Sequence, residues 1–206
     1  MRRFCFVAGV VLVAFAGCGG RKEPDYFPLV AGARKSMRII TRSVENGDTS
    51  VTVEVKPVSV VIGERKLPGV GKVWVVETPH DSGPSSYAYF RRERDAIVQL
   101  LPRRGKPAAE FLFLSLPLAK GKSWFESDAR RQRFEVVACE TLATEAGVFL
   151  DCYKVAVLRA YADWAMHQWF APGVGPVKWE IRSVWEKDGV RHEQYRVAEL
   201  VKYEQP

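Results

Sequence analysis

The side chains best suited to chemistry in this sequence are three histidines, His80, His167 and His192, and four cysteines, Cys5, Cys18, Cys139 and Cys152. A general base needs an imidazole within hydrogen-bond reach of the group it serves. Two pairs stand close enough in sequence to draw together, Asp163 with His167 and His192 with Glu193. Pairs of this kind are mostly ordinary surface polar residues. Nothing around them matches a nucleophile elbow, a phosphate loop, a zinc-protease helix or a cysteine–histidine pair. The histidines show no ligand spacing with Cys139 or Cys152, so no metal is expected. Gly173-Val174-Gly175 is a bare Gly-x-Gly in a proline-rich turn with no helix after it, the wrong setting for a dinucleotide. No catalytic residue and no cofactor is assigned, and the chain leans towards a non-enzymatic role.

Binding is better supported than catalysis. The stretch from Trp164 to Trp185 holds four of the six tryptophans, around the turn Ala171-Pro172-Gly173-Val174-Gly175-Pro176. Aromatics gathered there suit either core packing or a stacking platform for a glycan or lipid. In its second half Trp179, Ile181, Ser183 and Trp185 alternate with Lys178, Glu180, Arg182 and Glu186. Period two marks a strand with one buried and one wetted face, so Trp179 and Trp185 are expected in the core. The candidate ligand-binding residues are then His167, Trp169 and Phe170, at the entrance to the turn. Three basic clusters, Arg91/Arg92/Arg94, Arg103/Arg104/Lys106 and Arg130/Arg131/Arg133, would bind an anion if they converged and are solvated loops if they do not.

Cys139 and Cys152 lie symmetrically about Thr144-Glu145-Ala146-Gly147. A four-residue loop there sets the two cysteines directly opposite, at a spacing that disulfide geometry accepts. A cross-strand disulfide between them is the expectation; the alternative is two reduced, buried thiols.

The elements that must position these groups read as strands. Asn46-Gly47-Asp48 separates Met37–Glu45 from Thr49–Val55 as a hairpin whose loop could be two, three or four residues long, with Pro57 expected to bend or end the second strand. Lys72–Thr78 is a further strand; Tyr87–Arg92 and Ala96–Leu101 form a hairpin; Arg131–Glu140 and Val148–Leu158 form another. Asp188-Gly189 opens a last hairpin whose second strand runs from Val190 to Tyr203. No segment has a helical period of useful length, although Trp164–Trp169 allows a single turn. Many short strands joined by tight turns predict an all-β domain, a curved antiparallel sheet or an incompletely closed β-barrel.

The N-terminus bears on destination. Met1-Arg2-Arg3 is a short basic region, and Phe4–Ala16 an apolar run of signal-peptide length, too short to span a bilayer comfortably. It closes on Phe15-Ala16-Gly17-Cys18, which resembles the lipobox of bacterial lipoproteins. The resemblance implies cleavage after residue 17 and acylation of Cys18, with palmitate-type chains as the membrane anchor. Residues 1–17 are then the signal peptide, 18–25 the acylated cysteine with a flexible tether, and 26–206 a single β-rich domain. Gly19, standing where an aspartate often marks inner-membrane retention, points to the periplasmic face of the outer membrane. Net charge is +7, and +5 once Arg2 and Arg3 are removed. That suits anionic envelope components; nucleic acid is not an expected partner outside the cytoplasm.

Four pieces in order resemble a widespread group of bacterial lipoproteins and exported proteins of unknown function that carry a TapB-like domain. They are Tyr26-Phe27-Pro28-Leu29; Leu116-Pro117-Leu118 with Gly121 and Trp124; Glu140–Lys154; and Trp169–Lys178. A departure is Ala33-Arg34-Lys35-Ser36, where Gly-x-x-Trp is usual. The resemblance implies an extracytoplasmic β-rich domain and brings no catalytic residues. The leading expectation is a membrane-anchored envelope lipoprotein that binds an apolar or lipidic ligand, or another envelope component. The competing classes are a hydrolase acting on envelope polymers and a purely structural interaction module. An apolar cavity lined by Trp and Phe would mark the first, and a polar cleft gathering His167 or His192 with carboxylates the second.

Overall fold

The computed structural model describes residues 23–80, 83–103, 106–159 and 164–206. The signal peptide with Cys5, the anchor Cys18, Arg104 and Asp163 lie outside the described residues. Twelve strands follow one another: β1 (Arg34–Glu45), β2 (Asp48–Leu67), β3 (Gly71–Thr78), β4 (Ser86–Arg92), β5 (Ala96–Arg103) and β6 (Lys106–Ser115) make the first half. β7 (Ser123–Phe125), β8 (Gln132–Thr144), β9 (Gly147–Arg159), β10 (Trp164–Ala171), β11 (Gly175–Lys187) and β12 (Val190–Glu204) make the second. All belong to one antiparallel sheet in the order β6-β5-β4-β3-β2-β1-β12-β11-β10-β9-β8-β7, curled into a nearly closed barrel. The expected all-β class holds, and Trp164–Trp169 is strand rather than a helical turn.

The chain meanders outward from β1 to one edge, crosses to the other edge and meanders back, so first and last strands pair in the middle of the sheet. The edges meet only lightly: Leu112 N, in β6, donates to Glu126 O, just past β7, at 2.7 Å. The buried Glu126 carboxylate accepts from the amides of Arg131 at 2.8 Å and Gln132 at 2.7 Å, which satisfies an acid that would otherwise be costly to bury.

Turn chemistry sets the long hairpins. Asn46 and Gly47 have positive φ (51° and 88°) and link Glu45 to Asp48 by a two-residue loop, the geometry that Asn-Gly favours. Pro57 does not end its strand. It sits where the β1–β2 register shifts between Lys35 and Ser36, and β2 runs on to Leu67. A bulge is where a strand tolerates a residue without an amide hydrogen.

A strap ahead of β1 fills the interior. Tyr26, Phe27 and Leu29 are buried, and join Phe90, Ile97, Leu114, Trp124, Phe134, Val155 and Phe170 in the largest core. Phe27 lies 5.0 Å from the Phe90 ring and 5.2 Å from Phe113. The start of the strap is contacted from two sides. The Arg92 Nη2 donates to both Asp25 oxygens at 2.8 and 2.9 Å and to Phe27 O at 2.5 Å. Opposite, Gly173 N donates to Asp25 O at 2.7 Å. A second core of Met37, Cys152, Trp169, Val177, Ala198 and Leu200 forms where the β8–β9 turn returns against β12, Ala146 N donating to Leu200 O at 3.3 Å.

Two expectations need correction. Trp185 is not core: it is 42% exposed and stacks on His192, ring centroids 5.3 Å apart. The alternation is real, but among the described residues none of 180–197 belongs to a core cluster, so that end of the β11–β12 hairpin has nothing to bury its apolar face. Nor is there a Cys139–Cys152 disulfide: both thiols are free, Cys139 exposed and Cys152 buried. Thr144 does face Gly147, a register that would carry Cys139 to Cys152 if it continued. It shifts between Glu140 and Leu142, where β9 carries an extra residue and Asp151 takes φ 54°. Cys139 thereby faces Tyr153 and Cys152 faces Glu140, and a one-residue slip turns the two side chains to opposite faces.

Two outcomes follow from this packing. Phe27→Ala is expected to cost about 3–5 kcal/mol in urea unfolding, since it empties the centre of the aromatic cluster; a loss under 1 kcal/mol would show that the strap is not structural. In the folded protein without reductant, a maleimide should modify Cys139 and leave Cys152 untouched until denaturation. Burial pushes the Cys152 thiol up to about 11. Mass spectrometry that found Cys152 modified first would contradict the register.

Candidate functional site

A cavity of about 230 Å³ lies between the strap and the inner side of the barrel. Phe27, Pro28 and Leu29 of the strap form one wall. The others come from β1 (Lys35, Met37), β2 (Ser59, Val61), β3 (Val76, Thr78), β4 (Ala88, Phe90), β6 (Phe113), β11 (Pro176, Trp179) and β12 (Tyr203). Period-two alternation explains the apolar character: Val76 and Thr78 share one face of β3, Ala88 and Phe90 the matching face of β4, Lys35 and Met37 that of β1. Trp179, expected in the core, is half-buried in this wall.

Lys35 is the one formal charge among the lining residues, which include no Asp, Glu, His or Arg. Its Nζ donates to Pro176 O at 3.2 Å and lies 5.6 Å from the centre of the Tyr203 ring. Across the sheet it faces Ser59 on one side and Tyr203 on the other. Gly175, at φ +85°, permits this crowding: a Cβ there would stand 3.2 Å from Lys35 Nζ and 3.3 Å from Pro28 Cδ. Burial without a carboxylate disfavours the ammonium and lowers the Lys35 pKa to about 7.

The residues singled out in the sequence do not converge. Phe170 is fully buried in the main core. Trp169, its neighbour in β10, points to the other face. There its indole N–H donates to Glu140 Oε1 at 2.5 Å, with Lys154 and Lys178 ammonium groups 4.7 and 5.2 Å from its ring. His167 shares that face, 6.1 Å from the Trp169 ring; burial first, then Lys154, lowers its pKa. His192 lies under Trp185, and Glu193 is engaged by Arg182 at 2.9 Å. Among the described residues no three His, Cys, Asp or Glu side chains could hold a metal.

Three members of the basic clusters are already paired. Arg91 is bound by Glu93 and Glu110, Arg92 by Asp25, and Arg133 by Glu135, each at 2.8–2.9 Å. Further cavities among the described residues include a polar cleft beside Asp25, Arg92, Arg94 and Asp95, and an apolar opening along the seam beside Leu112, Phe134 and Trp164. Neither is lined by His167 or His192.

Sequence reasoning misses Lys35 because the expected strand begins at Met37. The signal was present: Lys35, Met37 and Ile39 occupy alternate positions, so a lysine continues the apolar face of β1.

No family model matches the chain, and no curated protein matches it. Three solved structures resemble it. One, from Bacteroides fragilis NCTC 9343, is provisionally described as an exported protein with a YmcC-like fold; it is 14% identical over 88% of this chain and 100% of that chain, with a TM-score of 0.49. A second, from Parabacteroides distasonis ATCC 8503, is provisionally described as a lipoprotein, at 16% identity, 89% and 100% coverage and a TM-score of 0.43. The third, a DUF1329 family protein from Desulfovibrio piger ATCC 29098, is 10% identical over 85% and 86%, with a TM-score of 0.23. At these scores the likenesses carry no inference about ligand, activity or location.

The depressed pKa gives stability a definite pH dependence. An unfolded lysine titrates near 10.4, so between about 7 and 10.4 the unfolded chain binds more protons at this residue, and its contribution to stability rises with pH. Lys35→Met removes that term. The variant should be more stable than the parent at pH 6.5, and its advantage should shrink by about 2–3 kcal/mol at pH 9. An equal gap at both pH values in urea unfolding would show that the amine is not buried.

Proposed function

We propose that this chain is a lipid-anchored protein of the bacterial envelope, tethered through Cys18 at the periplasmic face of the outer membrane, that holds an apolar or lipidic ligand and does no chemistry. The observation that carries the binding part is the strap cavity: Phe27, Phe90, Phe113 and Trp179 line a space that the fold does not fill. Small-molecule sites are usually concave, mostly apolar and equipped with a few placed polar groups. Lys35, Ser59, Thr78 and Tyr203 supply such groups here. The anchor and the compartment rest on the sequence pattern at residues 1–18.

The tether and the strap are continuous. Only residues 19–24 separate the cysteine from Asp25, which Arg92 clamps, so acylation would hold the barrel close to the bilayer from which an apolar ligand would come. Native mass spectrometry of the protein purified from its own membranes should show a co-purifying lipid-sized mass. Ala88→Trp, which puts an indole into the cavity, should abolish that mass while leaving the melting temperature within a few degrees of the parent. Absence of any bound mass, together with no uptake of a fluorescent fatty-acid probe, would refute ligand carriage.

A further inference from the structure

The nature of the ligand can be taken one step further, on the premise that the strap cavity is a binding site. We propose that it takes a single-chain amphiphile with an anionic head, a carboxylate or phosphate monoester, whose oxygens meet Lys35 Nζ while the chain lies among Phe27, Phe90 and Phe113.

A lysine inside an apolar wall is costly, and natural folds either give it a carboxylate or turn it out to water. Lys35 does neither. Its ammonium carries three donors. Among the described residues it donates to the Pro176 carbonyl, with the Tyr203 ring on one flank. A carboxylate entering the cavity would supply the missing charge and acceptors in one group, and the Ser59 hydroxyl, directly across β2 from Lys35, can donate to its second oxygen. The Tyr203 hydroxyl is already engaged by Gly173 O and Gln205.

Size narrows the rest. About 230 Å³ falls below the roughly 300–1,000 Å³ of typical small-molecule sites, room for one modest acyl chain and not for a two-chain lipid. A cationic head is disfavoured by the lysine, and an uncharged head can accept a hydrogen bond but leaves the ammonium charge without a counter-charge.

Among the described residues, the groups facing Lys35 are Ser59 from β2, Tyr203 from β12, Pro176 from β11 and Pro28 from the strap, and none is a carboxylate. Above about pH 8 a carboxylate and a phosphate monoester are both fully ionised, so there the pH response of head-group binding belongs to Lys35. Burial lowers the Lys35 pKa to about 7 and an anion favours the charged form, so affinity for an anionic amphiphile falls as pH rises above about 8.

The experiment measures decanoate, decyl phosphate and decanol binding to the mature folded protein, by calorimetry or probe displacement, at pH 6.5, 8 and 9. Expected is tighter binding of at least one anion than of decanol at pH 6.5, with the tighter anion naming the head group. That anion should weaken steeply from pH 8 to 9 while decanol stays level. In Lys35→Met, anion affinity should drop about 10- to 100-fold and decanol affinity should hold. Anions and decanol binding alike, or a flat pH profile for the anions, would overturn the head-group assignment and leave the cavity reading standing. None of the three binding would overturn both. The pH series on the unaltered protein decides the matter even if the variant does not fold.

Discussion

A barrel of eight strands is just filled by its own inward side chains, and a twelve-stranded sheet curled towards closure encloses more space than its strands can fill. The strap makes up the difference. Tyr26, Phe27 and Leu29 enter the interior from outside the sheet and meet residues of β4, β6, β9 and β10, so the two halves of the meander share one core. Without that bridge the halves are joined at β1–β12 and touch at the far seam through the Leu112–Glu126 bond. Half-exposed ion pairs are worth little, so the Arg92–Asp25 contact is better read as setting the strap's register than as holding it down. Aromatic burial holds it down.

The same strap decides where the interior stays empty. Phe27 turns to the Phe90–Phe113 side, and the residues after it pass over β1 and β2, where Gly32 N donates to Val61 O at 2.7 Å and Val61 N to Ala33 O at 2.9 Å. Between these two attachments the strap spans the cavity without filling it. Lys35 follows directly, so the segment that makes the wall also delivers the charge. A valine or methionine at position 35 would pack that face with no desolvation cost. Stability and the site therefore oppose each other at this position, a common arrangement where a fold keeps a binding group.

Much of the architecture was legible in the sequence because it rests on local rules. Asn46-Gly47 and Asp188-Gly189 specify two-residue turns through their positive φ, and the hairpins they open match the alternation that predicted them. The Pro-Gly turn after β10 is likewise a backbone device: Gly173 reaches Asp25 and Gly175 makes room for Lys35. What alternation cannot tell is which alternating face meets another layer. Trp179 and Trp185 share a face of β11 and a sequence pattern, yet one lines the cavity and the other lies outside it. Val51, Val53 and Val55 alternate as cleanly and are each more than half exposed, because the β1–β2 hairpin also outruns the core. Coverage by a distant segment is a tertiary fact, and the strap leaves no periodic trace.

Single extra residues account for the remaining gap between pattern and site. In β9 the bulge at Asp151 separates two cysteines that the turn alone would align. In β10–β11 the register shift between Trp169 and Phe170 leaves Val177 as the extra residue, so Pro176 faces Phe170 and Lys178 faces Trp169. That shift lets Pro176 and Trp179 share the cavity wall while Lys178 stays outside, paired with Glu180 and Glu199. In β1–β2 the shift at Lys35/Ser36 sets Ser59, rather than a valine, across from the lysine. Each bulge changes which side chains face inward without changing the sequence's apparent period, so a site assembled at bulges is hidden from alternation even when every strand is found.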